Sequence, residues 1–128
     1  MLEVLTNPQL DSSLLKFSYL DGIVYPNKPE LEEFITNHQE NVPLIQYACH
    51  VAISVFEGSA QLSLEVEYDP ESPDIMLYLT ARREHYSDDS VEDLDDKIER
   101  IRRMYSSAGF VDTDDFHVMT DYQQPVQI

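Results

Sequence analysis

Hydrophobic and polar residues alternate through Ala60–Tyr68, where Leu62, Leu64, Val66 and Tyr68 interleave with Gln61, Ser63, Glu65 and Glu67. A period of two marks a strand with one buried face. Asp69–Asp74 breaks the pattern with Pro70 and Pro73, and Ile75–Arg83 resumes it with Ile75, Leu77, Leu79 and Ala81 on one side. Pairing Val66 with Leu77 and Leu64 with Leu79 gathers the aliphatic side chains on one face and leaves a six-residue loop. An antiparallel hairpin is therefore predicted.

The period then changes. Ser90-Val-Glu-Asp93 has the form of a capping box, and Val91, Leu94, Ile98, Ile101, Tyr105 and Ala108 recur at helical spacing up to Gly109. On the opposite side Asp93 precedes Lys97, Asp96 precedes Arg100 and Glu99 precedes Arg103, each by one helical turn. Such pairs add only about 0.3–0.5 kcal/mol apiece. Phe116–Tyr122 alternates again and predicts a final strand beside the hairpin.

Upstream, Asn27 or Lys28 caps a predicted helix from Pro29 to Asn41, with Leu31, Phe34, Ile35, His38 and Val42 on one face and Glu30, Glu32 and Glu33 in its first turn. Leu44–Glu57 carries a broad apolar stripe and ends before Gly58, which predicts a largely buried helix holding Cys49 and His50. Before these, Thr6-Asn-Pro8 suits a helix start, and Leu10, Leu14 and Phe17 follow at helical spacing towards Asp21-Gly22. The same Asp-Gly step between Lys16–Leu20 and Ile23–Tyr25 also suits a hairpin; the helix is the preferred reading of residues 10–25. The expected fold class is α+β: N-terminal helices, an antiparallel β-hairpin, a long amphipathic helix and a final strand. The small antiparallel sheet is expected to be covered by helices on one face. Residues 1–122 form one expected domain, and 123–128 a flexible tail.

Charge narrows the choice of partner. Asp plus Glu number 25 against 8 Lys plus Arg, a formal −17, while 42% hydrophobic residues keep the chain out of the disordered class. Such a surface repels phosphate backbones and anionic lipid, so neither nucleic acid nor membrane is an expected partner. One cysteine, an acid near the N-terminus where a leader needs bases, and no apolar run of about 18–20 residues make the cytoplasm the expected location.

Catalytic chemistry finds little material. Gly22, Gly58 and Gly109 stand apart, so no phosphate-cradling loop can be drawn. Cys49 and His50 are neighbours, but adjacent residues in a helix point about 100° apart and make no dyad. The four histidines lack metal-ligand spacing, and the acidic turns at Asp69–Asp74 and Asp112–Asp115 lack the glycine and terminal Glu of a calcium loop. Glu84, His85, Asp115 and His117 would form a metal site only if the last strand ran to the end of the hairpin. Arg82, Arg83, Arg100, Arg102 and Arg103 are read as bases of a solvated surface.

The outward face of the hairpin remains, where Met76 and Tyr78 stand beside Glu65 and Glu67. The sequence therefore predicts a small, acidic, non-catalytic protein-binding domain of adaptor, chaperone-like or antitoxin/immunity type. It would engage a basic protein partner, need no cofactor, and have two sheet edges available for homodimerisation. The alternatives are a metal-binding protein or metal-dependent enzyme using His85 and His117, and a nucleic-acid mimic whose carboxylates imitate phosphates.

Overall fold

A computed structural model describes residues 17–68, 70–71 and 73–127. Its elements run β1 (Ile23–Val24), α1 (Lys28–Asn37), a 3-10 turn (Gln39–Asn41), α2 (Val42–Phe56), β2 (Gln61–Tyr68), β3 (Ile75–Arg82), α3 (Asp88–Ser107) and β4 (Phe116–Met119). The fold class is α+β, as the sequence predicts.

The hairpin has the expected register, with Leu64 opposite Leu79 and Val66 opposite Leu77. The sheet as a whole is mixed, ordered β1-β2-β3-β4, not antiparallel throughout. Ile23 pairs parallel with Leu62, and Leu77 pairs parallel with Phe116. Connectivity explains this: helices lie between β1 and β2 and between β3 and β4, and a helical crossover returns the chain in its original direction. The described residues thus form two helical crossovers joined by a hairpin.

One hydrophobic cluster joins the sheet to the helices. Leu62, Leu64, Leu77, Leu79, Phe116 and Val118 share it with Leu31 and Phe34 of α1, Ile45, Ala48 and Ala52 of α2, and Leu94, Ile98, Ile101 and Tyr105 of α3. At about 25 cal/mol per Å² of apolar surface removed from water, this cluster is the main favourable term in folding.

The N-terminal segment departs from the expected helix. Residues 10–16 of the proposed helix lie outside the described residues, and Phe17–Leu20 is not helical. Asp21-Gly22 forms a turn into β1, so Gly22 (φ +99°) neither ends a helix nor joins a hairpin. Burial of Ile23 beside β2 outweighs the local Asp-Gly signal. A Cβ at Gly22 would also lie 3.4 Å from Ile53 Cγ1.

Asn27 caps α1 through its side-chain oxygen, which accepts from the Glu30 N–H. The predicted single helix to Asn41 stops at Asn37 and continues as the 3-10 turn. α2 ends on Glu57 (φ 49°) and Gly58 (φ 81°), two left-handed residues that turn the chain into β2. α3 starts earlier than expected because Ser87 is its cap: the Ser87 Oγ accepts from the Ser90 N–H at 3.2 Å. Asp88 and Asp89 then occupy the electropositive first turn. At its other end the Gly109 N–H donates to Ser106 O and the Phe110 N–H to Tyr105 O, a Schellman closure. Ala108, assigned to the buried face, is exposed beyond that last turn.

The C-terminal segment, expected to be loose, is tied across the ends of β2 and β3. Gln61 exchanges two hydrogen bonds with the Val126 backbone (2.8 and 3.1 Å), and Gln124 donates to Glu84 O at 2.9 Å.

Leu79 is 0% exposed and Val111 80% exposed. In urea titrations Leu79→Ala is expected to cost about 2–5 kcal/mol, and Val111→Ala no more than about 0.5 kcal/mol. Equal losses would contradict the assignment of the core face. Glu57→Gly relieves a left-handed conformation worth about 1–2 kcal/mol and removes an acid from a helix C-terminus. It is expected to raise stability by about 0.5–1 kcal/mol after glycine's unfolded-state entropy; a fall in Tm would contradict this.

Candidate functional site

The alternate positions of β2 and β3 face away from the core cluster, and their chemistry is organised by a buried cation. Arg82 is 7% exposed. Its Nε and Nη2 donate to the two carboxylate oxygens of Asp121 at 3.0 and 2.8 Å, and its Nη1 donates to Glu65 Oε2 at 2.7 Å and Ser63 Oγ at 3.0 Å. A two-pronged grip on Asp121 is the geometry that suits a planar guanidinium. The Arg82 hydrogen bonds hold the Asp121 carboxyl below the usual carboxylate range, and Asp121 and Glu65 in turn raise the affinity of Arg82 for its proton. Burial opposes both effects.

Next to this network lies a cavity of about 220 Å³. Glu65, Glu67, Asp121 and Arg82 supply its charged lining, and Tyr78, Thr80 and Met119 the rest. Ser63 and Thr80 sit opposite each other in the ladder and are buried beneath it. The Tyr78 ring is braced by His117, with ring centres 5.7 Å apart and planes 28° apart.

Of the residues singled out for partner binding, Glu65, Glu67 and Tyr78 therefore come together around one hollow. Met76 is half-buried opposite Glu67, on the same face but outside the lining. The four candidate metal ligands do not converge. β4 runs parallel to β3, so His117 lies opposite Tyr78, about 13 Å of strand short of the end of β3. Glu84 and His85 follow that far end and line a separate hollow with Gly58 and Pro125. Asp115 approaches His38 at 3.7 Å, and His117 Nε2 lies 3.0 Å from Asp114 O. Among the described residues, no group of three or more His, Cys, Asp or Glu side chains is placed to hold a metal ion.

The bases and His50 depart from expectation, whereas Cys49 is buried as expected. Arg82 is buried, not solvated, and Arg83 is spent on Asp93 (2.7 Å), Ser59 O and Ser90 O. On α3, Asp93 pairs with Lys97 as expected (2.6 Å), but Glu99 meets Arg102 at 3.6 Å instead of Arg103. Cys49 is buried, and desolvation pushes its thiol up to about 12, far from thiolate chemistry at neutral pH. His50, expected to be buried with it, is exposed on the next position of α2.

The edge at β4 is shielded. The Leu77 N–H donates to Asp115 O at 2.7 Å, which turns the backbone groups of Phe116 and Val118 away from β3. There Arg102 Nη2 donates to Val118 O at 2.6 Å, and Phe116 and Val118 are each 2% exposed. Strand addition at this edge would have to displace Arg102.

Arg82, Asp121 and Met119 were not anticipated as site residues. The hairpin register puts Arg82 opposite Gln61, a diagonal step from Ser63, so part of the network was open to discovery in the sequence. Asp121 was not, because its approach depends on the parallel course of β4. Comparison with protein-family models, curated proteins and solved structures finds no match to this chain.

The Arg82–Asp121 pair generates a pH dependence. A carboxyl held low in the folded state contributes fully above its unfolded value near 3.9 and loses that contribution as pH falls through the lower folded value. Asp121→Asn is expected to be less stable than wild type by about 1 kcal/mol at pH 7, allowing for partial exposure. Urea titrations should show that gap closing below about pH 4. A gap that stays constant into acid would contradict the pairing.

Proposed function

We propose that this chain is a non-catalytic protein-binding domain that engages a basic partner through the outward face of β2–β4. The observation that carries this reading is the hollow where Tyr78 and Met119 stand among the carboxylates of Glu65, Glu67 and Asp121. Apolar side chains ringed by charge are the common composition of a docking patch. Electrostatics supports it at longer range, because the formal −17 draws cationic surfaces and speeds their encounter. An adaptor, a chaperone-like protein and an antitoxin or immunity protein would all use such a face. The proposed setting is the cytoplasm, on the ground of a single, buried cysteine. No helix among the described residues is long and apolar enough to cross a membrane.

A second reading, nucleic-acid mimicry, draws on α3, where Asp88, Asp89, Glu92, Asp95, Asp96 and Glu99 are all exposed. Neighbours at three- and four-residue spacing there lie roughly 5–6 Å apart.

One experiment separates the two. A partner captured on immobilised protein and identified by mass spectrometry is expected to release as salt rises from about 0.05 to 0.5 M. Glu67→Lys is expected to weaken its capture at least about tenfold, and Glu92→Lys on α3 to leave it unchanged. Loss with Glu92→Lys alone, together with competition by duplex DNA, selects mimicry. Capture indifferent to salt and to both variants contradicts an electrostatic interface altogether.

A further inference from the structure

We propose that the hollow between Tyr78 and Met119 is an anchor pocket for one arginine side chain of the basic partner, an inference that rests on the docking face proposed above. Size, charge and shape agree on this occupant.

At about 220 Å³ the hollow is smaller than a small-molecule or cofactor site, which typically spans roughly 300–1,000 Å³. A single long side chain suits it. Its lining carries three carboxylates and one guanidinium, so it is two charges negative. Arg82 does not invite an anion, because four of its five N–H groups are already committed to Asp121, Glu65 and Ser63. Glu67 stands differently: among the described residues its carboxylate makes no hydrogen bond or ion pair. Arg82 with Glu65 and Asp121 leaves one negative charge, and Glu67 adds the second as an exposed acid of the lining, where an incoming cation would be met.

The choice of arginine over lysine follows from the walls. Tyr78 offers a ring braced from one side by His117. A guanidinium stacks flat on such a ring, forks onto a carboxylate and sheds water more readily than an ammonium does. Met119 supplies a soft apolar contact for the methylene stem. Arg82 itself shows that this face holds a guanidinium between two acids.

The test is titration of the full-length protein, labelled at its methionine methyls, with N-acetyl-arginine amide, the lysine analogue and the neutral citrulline analogue. The arginine amide is expected to shift Met119 saturably, with a Kd on the order of millimolar for so small a probe. The lysine amide should bind several-fold more weakly, and citrulline should not bind. Glu67→Gln is expected to weaken the arginine amide about tenfold, and Tyr78→Ala to abolish its effect, while the amide spectrum of each variant reports that it remains folded. Citrulline matching arginine, lysine matching arginine, or shifts that bypass Met119 overturn the pocket. If Met119 ignores arginine while partner capture still depends on Glu67, the docking face stands and only the arginine pocket falls. If capture also ignores Glu67, both fall.

Discussion

The antiparallel register of β2 and β3 is the constraint on which the rest of the structure depends. With Leu64 opposite Leu79 and Val66 opposite Leu77, the aliphatic side chains of both strands share one face, and Glu65, Glu67 and Tyr78 share the other. Side chains alternate with a period of two, so a slip of one residue would send the leucines to solvent and the acids into the core. The cost of exposing several leucines, at about 1.5–3 kcal/mol each, makes such a slip untenable. Core and candidate docking face are thus two consequences of one pairing.

Arg82 adds a second layer to that arrangement. A buried ion pair contributes little net stability compared with an apolar replacement, but losing one partner leaves an uncompensated charge and is costly. The Arg82 network therefore acts less as a source of stability than as a tie. It joins β3 to β2 through Glu65 and to the segment beyond β4 through Asp121. That segment continues to Gln123, whose carbonyl accepts from Tyr86, and to Val126, which bonds Gln61. The C-terminal chain and the lining of the hollow are held by the same residues, which gives the hollow a defined shape.

The hairpin and the core face of α3 could be read from the sequence because both rest on strict periodicity. Leu64 and Leu79, and Leu94, Ile98 and Ile101, recur at spacings that admit one element type each. Boundaries were harder. Ser87 and Ser90 both suit a helix cap, and only the placement of the Ser87 Oγ on the Ser90 N–H decides between them. The four-residue β4 carries no mark of its own register against β3; its parallel direction follows from α3 crossing over the sheet, but which residues pair does not. The same gap separated Glu84 and His85 from Asp115 and His117, and concealed the meeting of Arg82 with Asp121. Glu65, Glu67 and Tyr78 share the outward face because that placement depends on the hairpin alone.

The pairing of β2 with β3 can be tested most directly by inter-strand nuclear Overhauser contacts in solution. Backbone cross-peaks are expected between Leu64 and Leu79 and between Val66 and Leu77. Cross-peaks joining Leu64 to Tyr78 or to Thr80 in place of Leu79 would reverse the two faces, and with them the core, the Arg82 network and the proposed docking surface.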